Sequence, residues 1–251
     1  MKAEIITIGD EILIGQTLDT NSAWMAEQLS LHGIEVSRIH TISDQEEEIV
    51  HMLKNAEKQA DVILLTGGLG PTRDDITKHT LARYFNASLV LNEEVLKQIE
   101  HYLSQRGIQM TELNRSQAEV PEHCKAIHKA YGTAPGMWFE KNGVIIVSMP
   151  GVPYEMKAMM ENHILPEIKQ RFNLPPVFHK TVLTTGIPEA QLSARLNSWA
   201  AQLPDDIKLA YLPSPGIVKI RLTGQGDLQE IQCLIEEAIQ KLNSIIPGYI
   251  F

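Results

Sequence analysis

Residues 3–9 (AEIITIG) are apolar almost throughout and end in glycine, the pattern of a short strand buried on both faces. At residues 20–32 the period changes. Trp24, Met25, Leu29 and His32 recur at helical spacing, Thr20 or Asn21 can cap the start, and Gly33 stops the run. Residues 34–43 read as a second strand, and 45–59 as an amphipathic helix capped by Ser43 or Asp44. Residues 61–66 (DVILLT) form a third buried strand that runs straight into Gly67, Gly68, Leu69 and Gly70. Strand, helix, strand, helix, strand predicts right-handed crossovers and a mainly parallel sheet sandwiched by helices. Ligands on such sheets sit beyond the carboxyl ends of the strands. Gly9-Asp10-Glu11, Asp44 and residues 67–75 all fall at such ends.

Helical spacing returns at 76–85 and 93–106, and the polar stretch 114–121 (NRSQAEVP) reads as a turn or short helix. Residues 126–127 and 136–139 suit edge strands, and 143–149 (GVIIVSM) a buried one. Residues 154–172 are helical in pattern, with Pro166 as the expected kink. The pattern then shifts. An α/β domain is expected over 1–172, a linker at 173–176, and a small α+β domain over 177–251. In the last, a strand at 179–186 and a helix at 189–201 precede strands at 208–212 and 217–223, which flank a Pro-Ser-Pro-Gly turn; a helix at 228–243 follows.

The segment 66–75 (TGGLGPTRDD) carries the strongest chemical signal. Thr66 ends the strand, and Gly67, Gly68 and Gly70 let backbone N–H groups face outward. A helix is expected to open at Pro71 or Thr72, so its dipole and unpaired N–H groups make an anion site. The spacing matches neither a P-loop nor GxGxxG. Asp74 and Asp75, adjacent acids beside a phosphate cradle, point to a divalent metal between carboxylate and phosphate. Arg73 and Lys78 are the nearby cations, and Lys78 is spaced for an i,i+4 ion pair with Asp74 or for a phosphate contact. Asp10, Glu11 and Asp44 are each helix caps or loop charges taken singly. With Asp74 they make a carboxylate cluster able to hold a metal and activate water. Two further Gly/Pro turns, 132–136 (GTAPG) and 150–155 (PGVPYE), carry Gly132, Thr133, Gly136, Gly151 and Glu155. Glu155 is placed either to match a helix dipole or to contact a ligand.

Bulk properties narrow the class. A net charge of −9 disfavours nonspecific contact with polyanions but permits one small anionic ligand. Cys124 and Cys233 make neither a disulfide framework nor a zinc motif, which fits a reducing cytoplasm. The start MKAEIITIGDE has no basic n-region followed by a long apolar run, and no stretch approaches the roughly 20 apolar residues of a membrane span. A cytoplasmic protein without membrane contact is expected.

The combination of GDEILIGQTLDTNS (9–22), TGGLGPTRDD, NRSQAEVP, GTAPG and MPGVPYEM (149–156) closely resembles the competence/damage-inducible protein CinA family. Residues 1–172 resemble the molybdopterin-binding, MoaB/MogA-like fold, and the C-terminal stretch resembles the family's KH-like domain. The resemblance implies an ADP-ribose pyrophosphatase that needs a divalent metal, magnesium or cobalt, with potassium assisting. It implies that Gly67, Gly68 and Gly70 cradle phosphate and that Asp44 and Asp74 are active-site carboxylates. Asp10, Asn114, Gly132–Gly136 and Gly151–Glu155 are implied to line the same cleft. Many members continue into a nicotinamide-mononucleotide deamidase domain near the point where this sequence ends, and no amidase activity is assigned to these residues. The KH-like segment shows no basic GxxG loop, so it reads as a packing or dimerisation module rather than a nucleic-acid binder. The expected partners are a small phosphate-bearing nucleotide and a second copy in a homodimer. The expected chemistry is hydrolysis of ADP-ribose, or a related dinucleotide, to AMP and a sugar phosphate. The competing readings are a non-catalytic pterin- or nucleotide-binding protein and an interaction module.

Overall fold

The apolar run after Met1 becomes strand β1 (Lys2–Ile8), whose side chains from Ala3 onward are all buried. In this computed structural model, which describes residues 1–72, 75–127 and 132–251, the chain forms two compact units. One comprises Met1–Ser30 and Ile34–Phe172, the other Leu31–Gly33 and Asn173–Phe251. In the first, β1 is followed by α1 (Asp10–Leu13), α2 (Thr20–Leu31), β2 (Glu35–Ile42), α3 (Glu46–Ala56) and β3 (Val62–Thr66). Then come α4 (Thr77–Tyr84), β4 (Leu89–Leu91), α5 (Glu93–Ser104), α6 (Glu112–Gln117), β5 (Glu119–Pro121) and β6 (Lys125–Ile127). β7 (Gly136–Lys141), β8 (Val144–Met149), α7 (Pro153–Met159) and α8 (Leu165–Phe172) complete it.

The main sheet has six strands in the order β2-β1-β3-β8-β7-β6. The first four run parallel, and β7 and β6 are antiparallel additions. β3 and β8 are buried at every position, as strands covered on both faces must be. The register sets Thr7 beside Thr41 and Thr66, and Thr66 beside Met149. The carboxyl ends of β1, β3 and β8 are therefore level, and the chain leaves all three at one edge. On one face Ile49 and Leu53 of α3 and Leu81 of α4 pack with Ile6, Ile63, Leu65 and Ile146. Phe85 stacks on Phe139 with ring centroids 4.1 Å apart.

Several local expectations change. Asp19, not Thr20 or Asn21, caps α2, because its carboxylate accepts the Ser22 N–H at 2.9 Å. α3 starts after Gln45 without a side-chain cap, and Asp44 turns instead to the Asp10 N–H. The helix expected at Pro71 or Thr72 begins at Thr77. Strand β7 runs on to Lys141 and joins β8 through Asn142 and Gly143, both at positive φ, as a tight hairpin requires. The helix after Pro153 passes into a π-helical stretch, Met160–Ile164, directly before Leu165-Pro166. Pro166 has no N–H for the carbonyl of Asn162, and the wider turn absorbs that loss upstream of the proline itself.

The second unit holds β9 (Val177–Thr185), α9 (Glu189–Ala200), β10 (Ile207–Ser214), β11 (Ile217–Gln225) and α10 (Leu228–Ile245). Its antiparallel sheet has the order β10-β11-β9. Leu192, Leu196 and Trp199 of α9 and Ile231, Ile235 and Leu242 of α10 share a core with Val218, Ile220 and Leu222. The Trp199 indole donates to the Ala238 carbonyl at 3.1 Å, which lets the ring be buried. Asp227 caps α10 by accepting the Gln229 and Glu230 N–H groups. A mainly parallel α/β unit followed by a small α+β unit is the architecture that the periodicity predicts. Among the described residues, no helix is long and apolar enough to cross a membrane.

Leu65 is fully buried in the middle of the main sheet. Leu65→Ala is expected to cost about 2–5 kcal/mol in urea unfolding through lost transfer energy and the cavity left behind. A loss below about 1 kcal/mol would contradict the close packing of that layer.

Candidate phosphate-binding cleft

The level strand ends meet at a close backbone contact. Gly67 donates its N–H to the Met149 carbonyl at 3.1 Å and takes φ 115°. A Cβ there would lie 2.1 Å from the Ile8 carbonyl oxygen, so only glycine lets β3 leave the sheet this close to β1. Gly68 also has positive φ, 63°, and a Cβ on it would meet the Thr77 hydroxyl at 2.2 Å. Thr77 in turn donates its N–H to the Gly68 carbonyl at 3.1 Å. The turn thus folds back onto the first residue of α4, although that helix starts later than its sequence suggests. Asp75 braces the far end, accepting the Thr72 N–H at 2.8 Å and the Thr72 hydroxyl.

A buried polar knot ties the ends of β3 and β8 together. The Thr66 hydroxyl donates to the Pro150 carbonyl at 2.9 Å and accepts from the Asn21 amide at 3.1 Å. The same amide nitrogen donates to the Gly151 carbonyl at 2.8 Å. Asn21, read from the sequence as a candidate helix cap, is instead a cleft residue.

Acidic groups ring the turn. The Asp44 carboxylate accepts the Asp10 N–H at 3.0 Å. Burial pushes the Asp44 carboxyl above the usual carboxylate range; that N–H pulls it down, and the charges of Asp10, Glu11 and Asp75 add to the rise. Asp44 therefore sits in a site that opposes its negative charge and that favours either a proton or a cation.

Together these groups bound a cleft of about 510 Å³, a size suited to a small molecule. Thr66, Gly67, Gly68, Gly70, Asp44, Asp75, Thr133, Gly151 and Glu155 line it. Gly132, at φ 74°, packs on the Glu155 carboxylate, which a Cβ would approach to 2.1 Å. Asp10 takes part through its N–H and its charge. Three other expected residues point elsewhere. Lys78 donates to the Ser116 carbonyl at 2.8 Å, and burial lowers its pKa, with Glu119 opposing. Asn114 forms a capping box with Thr111 at the start of α6. Gly136 opens β7 beneath the Met159 sulfur. Arg73 and Asp74 lie outside the described residues.

Thr7, Asn21 and Gln117 also line the cleft, and the sequence marks none of them as a site residue. Gln117 lies in the NRSQAEVP segment, whose polar pattern does not mark it as the buried member. Among the described residues, no three His, Cys, Asp or Glu side chains are grouped as a ready-made metal cage.

The fold and cleft define a class that comparison with known proteins makes specific. Residues 4–170 match the family described as a probable molybdopterin binding domain. Residues 179–251 match the damage-inducible protein CinA KH domain. A CinA-like protein of Cytophaga hutchinsonii is 45% identical over 250 residues, covering 99% of this chain and 60% of that protein. A CinA-like protein of Flavobacterium psychrophilum is 45% identical over 255 residues, again 60% of its length. The crystal structure of CinA from Thermoplasma acidophilum is 33% identical with a TM-score of 0.60, covering 66% of this chain and 96% of that one. The chain belongs to the CinA family. It spans about 60% of the length of the curated relatives it matches.

The raised Asp44 pKa has a consequence for stability. The native carboxyl holds its proton to higher pH than the unfolded chain does, so its contribution is fully present below the unfolded pKa and is lost as pH rises through the native one. Asp44→Asn keeps an acceptor for the Asp10 N–H and removes that loss. The variant is expected to melt above the wild type at pH 7, with the gain vanishing near pH ~3, below the ordinary carboxylate pKa. Equal melting temperatures at both pH values would contradict the crowding of negative charge around Asp44.

Proposed function

We propose that the cleft binds the pyrophosphate of ADP-ribose, or of a related dinucleotide, and hydrolyses it to AMP and a sugar phosphate. The observation that carries this reading is the pairing of a glycine turn closed to any side chain with a carboxylate whose charge is disfavoured. Backbone N–H groups of residues 68–70, that of Gly67 being engaged by the Met149 carbonyl, suit the non-bridging phosphate oxygens and stabilise charge that builds on them during attack. Asp44, with its raised proton affinity, suits the role of base that takes a proton from the attacking water. The water oxygen bonds to phosphorus, the bridging P–O bond breaks, and the leaving phosphate departs with the electron pair.

The carboxylates near Asp44 among the described residues suit a magnesium-type ion bound by one or two of them and completed by water and substrate phosphate. Asp10 and Asp75, beside Asp44, would hold such an ion, which supplies charge neutralisation and a more acidic water. Lys78 is left out of this scheme because its ammonium is engaged by Ser116.

A second reading, a pterin- or nucleotide-binding protein without turnover, draws on the match to the probable molybdopterin binding domain. One assay separates the two: incubation of the full chain with ADP-ribose, with and without magnesium or cobalt, and chromatography of the products. Metal-dependent AMP is expected, falling roughly 100-fold or more in Asp44→Asn, the cost of losing a general base. Folded protein that binds ADP-ribose in calorimetry yet releases no AMP with either metal would overturn the hydrolase reading in favour of the second.

A further inference from the structure

The phosphate reading leaves part of the cleft's lining unexplained. Thr7 Oγ1, Asn21 Oδ1 and Gln117 Oε1 are buried, belong to residues that line the cleft, and have no hydrogen-bond partner among the described residues. Buried polar atoms in native proteins nearly always have partners, so three orphans on residues that line one cleft point to a ligand there.

The chemistry of these atoms narrows that ligand. Asn21 is fixed in orientation, because its amide nitrogen donates to Thr66 Oγ1 and to the Gly151 carbonyl. Its Oδ1 is therefore left as a pure acceptor. Gln117 closes α6 at 3% exposure, and its Oε1 is likewise an acceptor. Gln117 is also held in place relative to the glycine turn. Lys78, on the first turn of α4, grips the carbonyl of the preceding residue, Ser116, while the adjacent Thr77 packs on Gly68. Two acceptors call for two donors. Phosphate oxygens supply none at neutral pH. A sugar hydroxyl brings a donor, but also lone pairs that these carboxamide oxygens cannot serve. An exocyclic amino group on a heterocyclic base carries two N–H bonds and accepts almost nothing.

We propose that Asn21 and Gln117 are specificity-determining residues of this cleft and accept N–H hydrogen bonds from the exocyclic amino group of a nucleotide base. The inference rests on the glycine turn taking the phosphate. Lys78 is then a positioning residue, acting through Gln117.

The test is calorimetric titration of the full chain with AMP, with purine riboside 5′-monophosphate, which lacks only the amino group, and with ribose 5-phosphate. AMP is expected to bind roughly 10- to 100-fold more tightly than purine riboside 5′-monophosphate, the span for leaving a buried acceptor unpaired. Gln117→Leu lowers AMP affinity towards that of the amino-free analogue and leaves ribose 5-phosphate binding unchanged. Lys78→Met narrows the same preference, again without changing ribose 5-phosphate binding. The wild-type comparison needs no variant, so a misfolded substitution does not blunt it. Equal binding of AMP and the amino-free analogue, with ribose 5-phosphate still bound, overturns the base-reading role and leaves the phosphate site standing. Ribose 5-phosphate binding as tightly as AMP assigns the orphan acceptors to the sugar and also overturns it. Absence of binding by all three phosphates overturns both this inference and the phosphate-site reading beneath it.

Discussion

The contact between Gly67 and the Ile8 carbonyl is the constraint on which the rest of the first unit depends. A Cβ at residue 67 would stand 2.1 Å from that oxygen. Without one, β3 can end level with β1 and β8 and turn sharply over both, donating to Met149 as it goes. Gly151 extends the arrangement from the other side, where a Cβ would lie 3.4 Å from the Gly67 Cα. Backbone rather than side chain thus floors the cleft. Peptide N–H groups in that position cannot swing away as a lysine could, the advantage preorganised backbone would bring to the proposed anion site.

From that floor the acidic rim follows. Asp44 is drawn away from capping α3 by the N–H of Asp10, 34 residues earlier in the chain. That places it where burial and the charges of Asp10, Glu11 and Asp75 oppose ionisation. Such a site is unfavourable for the empty protein and becomes favourable once a cation or proton arrives, the pattern in which function is held against stability. The Asn21–Thr66–Pro150 knot has the opposite character. Its members are nearly all satisfied, and it locks the loops after β3 and β8 into one geometry.

Much of this was legible in the sequence because long apolar runs have few ways to be buried. The runs at 3–9, 61–66 and 143–149 could only be central strands, and the glycine turn announced itself by its density. The small elements α1 and β4 were not legible, since three or four residues carry too little periodicity. The Asn142-Gly143 hairpin is written in plain turn chemistry, although Gly143 also reads as the start of the apolar run that follows it. Lys78 and Asn114 misled for a shared reason. Each is a polar residue near a motif, and only tertiary structure shows that one grips the Ser116 carbonyl and the other closes a capping box with Thr111. The Thr-x-x-Asn spacing from Thr111 to Asn114 was the available signal for the latter. Gln117 could not be found from sequence, because its importance lies in being buried with an unmet acceptor, a property set by distant neighbours.

The central claim is that backbone N–H groups of residues 68–70 receive the phosphates of a nucleotide. The most direct measurement is a crystal structure of the full chain with magnesium and the α,β-methylene analogue of ADP-ribose, which cannot be hydrolysed at the bridge. The two phosphorus atoms are expected against the N–H groups of Gly68, Leu69 and Gly70, with Asp44 facing the bridge. Density for the phosphates elsewhere on the first unit, with that turn unengaged, would contradict it.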